Sequence, residues 1–231
     1  MEVLKIDGLY KSYKSKPAID GISLEVPAGR IVGVLGPNGS GKTTLLKCIA
    51  GLLTPEKGSI LVDGNHVGVQ SKAVTAFLPD KNFLCEWMTV EKTVKYSQDF
   101  FADFDAERAK MLISDLGIAL NDVVRTLSKG TKEKLALILT MSRRAKLYLL
   151  DEPIAGVDPA AREYVISTIL KNYSPSSSIL ISTHLIADVE SVLDDVLFIH
   201  DGRIRYAASK EYVYNVTGKS VDGLFREMFR C

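Results

Sequence analysis

Eight residues, Gly36-Pro37-Asn38-Gly39-Ser40-Gly41-Lys42-Thr43, constrain this chain more than any other stretch. They have the form G-x-x-x-x-G-K-[ST]. The apolar run Ile31-Val32-Gly33-Val34-Leu35 precedes them, and Thr44-Leu45-Leu46-Lys47-Cys48-Ile49-Ala50 reads as a helix behind them. Strand, glycine-rich loop and helix in that order make a phosphate cradle. The glycines let the backbone curl until its N–H groups point at phosphate oxygens. The helix N-terminus, with Thr44 in its first turn, adds partial positive charge. Lys42 is expected to reach the β- and γ-phosphates, and Thr43 to offer its hydroxyl to Mg²⁺.

The pattern around this loop alternates strands with helices. Val3-Leu4-Lys5-Ile6 and Ile22-Ser23-Leu24-Glu25-Val26 read as short strands, with Leu9 to Tyr13 as a loop between them. An aromatic in that loop, Tyr13, could stack on a nucleotide base, or be a half-exposed tyrosine with no ligand. Ser59-Ile60-Leu61-Val62 reads as a strand ending in the Asp63-Gly64 turn, and Ala76-Phe77-Leu78 as an apolar piece that stops at Pro79. Helical periodicity dominates residues 86–145. Met111, Leu112 and Leu116 share one face there, and Leu135 to Leu139 is apolar nearly all round.

Leu147-Tyr148-Leu149-Leu150 and Ile179-Leu180-Ile181 read as strands buried on both faces of a parallel sheet. Asp158-Pro159 opens a helix whose predicted apolar face is Val165, Ile166, Ile169 and Leu170. A short helix is expected from Leu185 to Val192. Asp201-Gly202 joins a hairpin, and one or two short helices close the chain from Ser209 to Cys231.

Composition narrows the class. At 231 residues, 46% hydrophobic and 25% charged, the chain reads as one soluble globular domain with a subdomain. A net charge of +1 argues against a general nucleic-acid binder. Cys48, Cys85 and Cys231 have no C-x-x-C spacing, so neither a disulfide framework nor a zinc site is legible and a reducing cytosol fits. Met1-Glu2-Val3-Leu4-Lys5 does not read as a signal peptide, and no apolar run approaches the ~18–20 residues that span a bilayer.

Three further places could serve chemistry. Asp151 and Glu152 end a buried strand, the usual partner of a phosphate loop. Asp151 suits Mg²⁺, and Glu152 suits orienting or deprotonating an attacking water. His184 follows the strand at 179–182. A parallel strand beside the phosphate strand would deliver it to the γ-phosphate, although a histidine capping a helix start reads the same way. Leu127-Ser128-Lys129-Gly130-Thr131 precedes a helix placed at 132–142, as a second anion site or a plain N-cap.

Taken together, these residues resemble the nucleotide-binding subunits of ATP-binding-cassette (ABC) transporters, over about residues 2–207. Gly36–Thr43 matches the Walker A of that family, Leu147–Glu152 its Walker B, Leu127–Thr131 its signature loop, Ala155-Gly156-Val157-Asp158 its D-loop and His184 its switch histidine. Tyr13 sits where the family places its adenine-stacking aromatic. The resemblance implies an α/β P-loop NTPase fold: a RecA-like core with an antiparallel β subdomain at about 1–85 and 146–207, a helical signature subdomain at 86–145, and a short helical tail at 208–231.

It also implies ATP and Mg²⁺ as cofactors and a head-to-tail dimer, homomeric or heteromeric. In that dimer Ser128, Gly130 and Asp158 complete the site of the second subunit. The implied partner is an integral membrane permease, engaged from the cytoplasmic face of the membrane, with Phe83, Leu84, Trp87 and Met88 as contacts or as subdomain core.

Two departures stand out. Lys129 and Thr131 replace a glycine and the glutamine of the family's L-S-G-G-Q, and Asp80 stands for the Q-loop glutamine that touches Mg²⁺. A carboxylate there can still bind the ion. Leu78-Pro79-Asp80 and the short tail are similar to those of ABC-2-type bacterial drug and peptide exporters. The alternatives are an ATP-switched clamp with low turnover, or a cassette ATPase that does not transport.

Overall fold

A computed structural model of the chain describes residues 2–155 and 157–229, with the backbone alone at 159–161 and 172. Gly156 of the expected D-loop and Cys231 lie outside the described residues. The chain runs β1 (Glu2–Tyr13), β2 (Lys16–Pro27), β3 (Ile31–Leu35), α1 (Lys42–Ile49), β4 (Lys57–Val62), β5 (Asn65–His66), α2 (Val69–Ala73) and β6 (Thr75–Leu78). Then come the helices α3 (Val90–Phe100), α4 (Ala106–Asp115) and α5 (Lys129–Met141). It continues through β7 (Leu147–Asp151), α6 (Pro159–Asn172), β8 (Ser178–Thr183), α7 (Ile186–Val189), β9 (Asp195–His200), β10 (Arg203–Ser209), α8 (Lys210–Thr217) and α9 (Val221–Phe229). Among the described residues no helix is long and apolar enough to cross a membrane.

Two sheets result. An antiparallel sheet has the order β2-β1-β4-β5, and a larger one the order β10-β9-β3-β8-β7-β6. In the larger sheet β9, β3, β8, β7 and β6 run parallel, and β10 closes one edge antiparallel. The period-2 geometry of a strand decides which residue faces which layer. Ile31 and Leu35, Tyr148 and Leu150, Ile179 and Ile181, and Val196 and Phe198 join a core shared with α3 to α6, α7 and the C-terminal helices. Their alternates Val32 and Val34, Leu147 and Leu149, Leu180, and Leu197 and Ile199 join a second core shared with α1 and the antiparallel sheet. Burial on both faces is why these strands read as unbroken apolar runs. Cys48 is part of the second core, where burial pushes its thiol up to about 11.

Several local expectations are corrected. Leu9 to Tyr13 is strand, not loop: β1 runs unbroken to a two-residue turn at Lys14-Ser15. The left-handed φ of 53° at Gly8 and the shifted pairing between Ile6 and Leu9 break the alternation that would have marked it. On α4 the buried stripe is Ala106, Ala109 and Ile113, while Met111 is exposed and Leu112 and Leu116 only flank the core. Small alanines let the helix approach closely. On α6 Leu170 faces out, and Thr168 is buried beside Val165 and Ile169. Helix α5 starts at Lys129 rather than 132, and the segment 185–192 splits into α7 and a 3₁₀ turn at Glu190–Val192. Helix α2 has no strong apolar stripe to announce it; at its start Ser71 Oγ accepts from the Gly68 N–H at 2.9 Å.

Arg143 ties the helical segment to the sheet edge. It is buried, forks onto Asp103 at 2.9 and 3.1 Å, donates to the carbonyls of Thr75 (2.5 Å) and Ala73 (2.7 Å), and lies 4.1 Å from the Phe101 ring centre. Truncation would strand Asp103 and two carbonyls without their donor. Arg143→Ala is expected to destabilise the chain by about 3–5 kcal/mol in chemical denaturation, with Arg143→Lys recovering little because an ammonium cannot reproduce the planar fork.

Candidate functional site

The C-terminal ends of β3, β7 and β8 point the same way, since these strands are parallel neighbours. Each end therefore delivers its loop to one place, the outcome expected at a switch point of a parallel sheet. Leu35 leads into the glycine-rich loop, Asp151 and Glu152 end β7, and His184 follows β8. A cleft of about 530 Å³ opens there, lined by Tyr13, the loop residues Asn38 to Thr43, Thr44, Asp80, Glu152 and His184. Lys16, Pro17 and Ala18, to which the sequence alone assigns no role, also line it, as does Ala155 of the expected D-loop. The first three open β2, which begins at Lys16 rather than at the expected Ile22, and only a paired strand brings them over the site.

The loop is shaped by close approach. A Cβ on Gly36 would lie 2.2 Å from the Ile199 carbonyl oxygen, and one on Gly41, at φ 109°, would lie 2.3 Å from that of Ala18. No side chain caps α1, so its first backbone N–H groups face the cleft without an intrahelical acceptor. Lys42 is 5% exposed, and its ammonium donates to the carbonyls of Gly36 (2.7 Å) and Pro37 (3.2 Å) and stands 3.7 Å from Glu152 Oε1. Burial lowers its pKa, with the carboxylates of Glu152 and Asp151 pulling the other way.

Beneath the loop, Asp151 Oδ1 accepts from Thr43 Oγ1 (3.0 Å) and from Ser182 Oγ (2.5 Å). Ser182 is a further residue that the sequence reading passed over in favour of His184. Burial raises the Asp151 pKa; the hydroxyls of Ser182 and Thr43 oppose it, while Asp80 and Glu152 add to it. Asp151 Oδ2 and Ser40 Oγ are buried and make no hydrogen bond. A threonine hydroxyl and a carboxylate with one oxygen to spare are hard oxygen donors of the kind Mg²⁺ takes together with phosphates. Among the described residues no group of three or more His, Cys, Asp and Glu could hold a metal without such help.

Glu152 stands at the left-handed φ of 51°, which costs a non-glycine residue about 1–3 kcal/mol. The turn is held by its N–H donating to the Ser182 carbonyl at 2.9 Å. Its two carboxylate oxygens lie 3.0 and 3.1 Å from His184 Nδ1. Ser128, Gly130 and Asp158 do not line the cleft. Ser128 caps α5, accepting from the Thr131 N–H at 3.2 Å, and Lys129 points to solvent near Glu133. Asp80 lies at the rim. Of the four residues weighed as partner contacts, Leu84 is core while Phe83 and Trp87 are exposed.

A phosphate loop on a central parallel strand, with the acid of β7, one strand beyond its neighbour β8, against its threonine, defines the α/β fold of P-loop NTPases. Comparison with known proteins gives the family. Residues 19–155, more than half of the chain, match the family model described as ABC transporter. The chain is similar to YdbJ of Bacillus subtilis, an uncharacterized ABC transporter ATP-binding protein, with 32% identity over 95% of this chain and 73% of YdbJ. It is similar to the SkfA peptide export ATP-binding protein SkfE of the same organism, with 29% identity over 88% of each chain. A solved ATP-binding subunit of an ABC transporter superposes with a TM-score of 0.89 at 25% identity, over 98% of this chain and 99% of that one. The chain therefore belongs to the ABC transporter family, as an ATP-binding cassette.

Removing the buried ammonium tests the cleft. Lys42→Ala is expected to weaken ATP binding by about 2–3 kcal/mol, on the order of a hundredfold, in calorimetric titration. Near-normal affinity would show that the phosphates sit elsewhere.

Proposed function

We propose that the chain hydrolyses ATP as one half of a head-to-tail pair of cassettes that drives a membrane exporter. The observation that supports it most is the Glu152–His184 pair, set in the cleft beside Lys42. ATP would lay its phosphates along the backbone N–H groups of Asn38 to Thr44, with the Lys42 ammonium turned from the loop carbonyls to the β- and γ-phosphates. Tyr13, half-exposed at the end of β1, would stack on the base. Thr43 and Asp151 would hold Mg²⁺, with Asp80 at the rim; the bound ion neutralises charge on the phosphate oxygens. Glu152 accepts a proton from the water that attacks the γ-phosphorus, and His184 fixes the carboxylate and meets a γ-phosphoryl oxygen.

Ser128, Gly130 and Asp158 act on the ATP of the second subunit in this reading. Gly130 supports it. It has an ordinary helical φ, and a Cβ there would meet nothing within 4 Å. The fold of one chain gives position 130 no reason to be glycine, whereas a ligand pressed against the start of α5 would. The helical segment 86–145 then serves as the arm that presents this loop, and 1–85 with 146–207 as the body that binds ATP. An integral membrane permease would take up the movement at the cytoplasmic face of the membrane, and no nucleic acid is involved. Export is favoured by the likeness to SkfE, named for peptide export.

Glu152→Gln decides between a motor and a low-turnover clamp. Wild type is expected to release phosphate from ATP, while the variant binds ATP, loses turnover by at least about a hundredfold and accumulates as a dimer in size-exclusion chromatography. Equal, negligible turnover in both, with ATP-dependent dimers, would make the chain a clamp. Gly130→Ala is expected to melt at the wild-type temperature or slightly above it, since alanine is the better helix former, yet to lose ATP-dependent dimerisation. Unimpaired dimers in that variant would remove Gly130 from the interface.

A further inference from the structure

Arg162, in the first turns of α6, reaches both the segment before Asp158 and the helix that follows His184. Its Nε donates to the Val157 carbonyl at 3.2 Å, and its Nη1 donates to Asp188 Oδ2 at 2.8 Å. Val157 is the buried residue immediately before Asp158. Asp188 is on α7, four residues beyond His184. Both side chains of the ion pair are partly buried, so solvent screens it less than a surface pair. Arginine suits the place, because its planar fork serves two acceptors at once where a lysine ammonium is a single point charge.

The far side of α7 is held independently. The Glu190 carboxylate accepts from the backbone N–H groups of Val221 (2.7 Å) and Asp222 (3.3 Å) at the start of α9, and Lys210 Nζ donates to the Ser191 carbonyl at 2.9 Å. Ile186 and Val189 are buried beneath. The segment after His184 is thus a firm block, and a pull on it from the Val157 side would be transmitted to the histidine rather than dissipated in a loop.

We propose that Arg162 is a positioning residue that yokes the Asp158 loop to the His184 turn, so that a subunit closing on one end resets the other. The yoke presupposes the roles given above to Asp158 and His184. It touches neither ATP nor water, and its effect should fall on turnover rather than on nucleotide affinity.

Steady-state ATP hydrolysis by the full chain tests this, with melting temperatures measured alongside. Arg162→Ala is expected to lower kcat about tenfold with KM for ATP held within about twofold. Asp188→Ala should fall to a similar kcat, and the double variant no further, because both cut one connection. Arg162→Lys keeps the charge opposite Asp188 but should stay low, since the Val157 contact is lost. A lowered melting temperature with unchanged kcat, or single effects that multiply in the double variant, would overturn the yoke. Should Arg162→Ala fail to fold, Asp188→Ala and Arg162→Lys decide by the same criteria. His184→Ala separates the layers. Full turnover there, or none in wild type, removes the catalytic reading itself and the yoke with it, whereas a dead His184→Ala beside a fully active Arg162→Ala removes the yoke alone.

Discussion

A helix cannot satisfy its own first backbone N–H groups, and α1 leaves them uncapped at the mouth of a cleft. The geometry around them follows from that choice. Strand β3 sits between β8 and β9, buried on both faces, so the loop springs from a rigid base. Carbonyl oxygens of Ala18 and Ile199 press on Gly41 and Gly36 from either side. The next parallel strand, β8, then brings a hydroxyl and a histidine to the same end of the sheet, and β7 beyond it brings a carboxylate.

This concentration of charge costs stability. Lys42 and Asp151 are almost fully buried, and desolvation disfavours the charged form of each. Glu152 adds a strained backbone, and Asp151 Oδ2 adds an acceptor without a donor. Such features persist where the surrounding structure over-determines them, and they concentrate at functional sites. The two hydrophobic layers on either side of the sheet supply the opposing term.

How far the sequence could be read follows from the same physics. The phosphate loop, the buried strands and the hairpin at Asp201-Gly202 were legible because each depends on short-range chemistry: glycine φ, apolar runs, turn residues. The end of β1 was not, because a bulge at Gly8 hides its alternation, and the cleft wall at Lys16 to Ala18 was lost with it. Side-chain volume is a poor guide to a helix face where close fit decides it, as with exposed Met111 against buried Ala109. Arg143 and Arg162 carried no signal at all, since each earns its place through partners distant in the chain. Ser128 and Gly130 were visible as a motif, but one chain leaves them away from the cleft.

The aromatic cluster under α9 has a practical side. Phe198 pairs in register with Leu35, the last residue before the phosphate loop, and packs against Phe225 at 5.3 Å and Phe229 at 6.1 Å. A fluorescent reporter or affinity handle fused beside α9 would therefore load the strand next to the phosphate loop. The Asp63-Gly64 turn joins β4 to β5 at the far margin of the antiparallel sheet, and a Cβ on Gly64 would meet nothing within 4 Å. That turn is the quieter place to attach a probe.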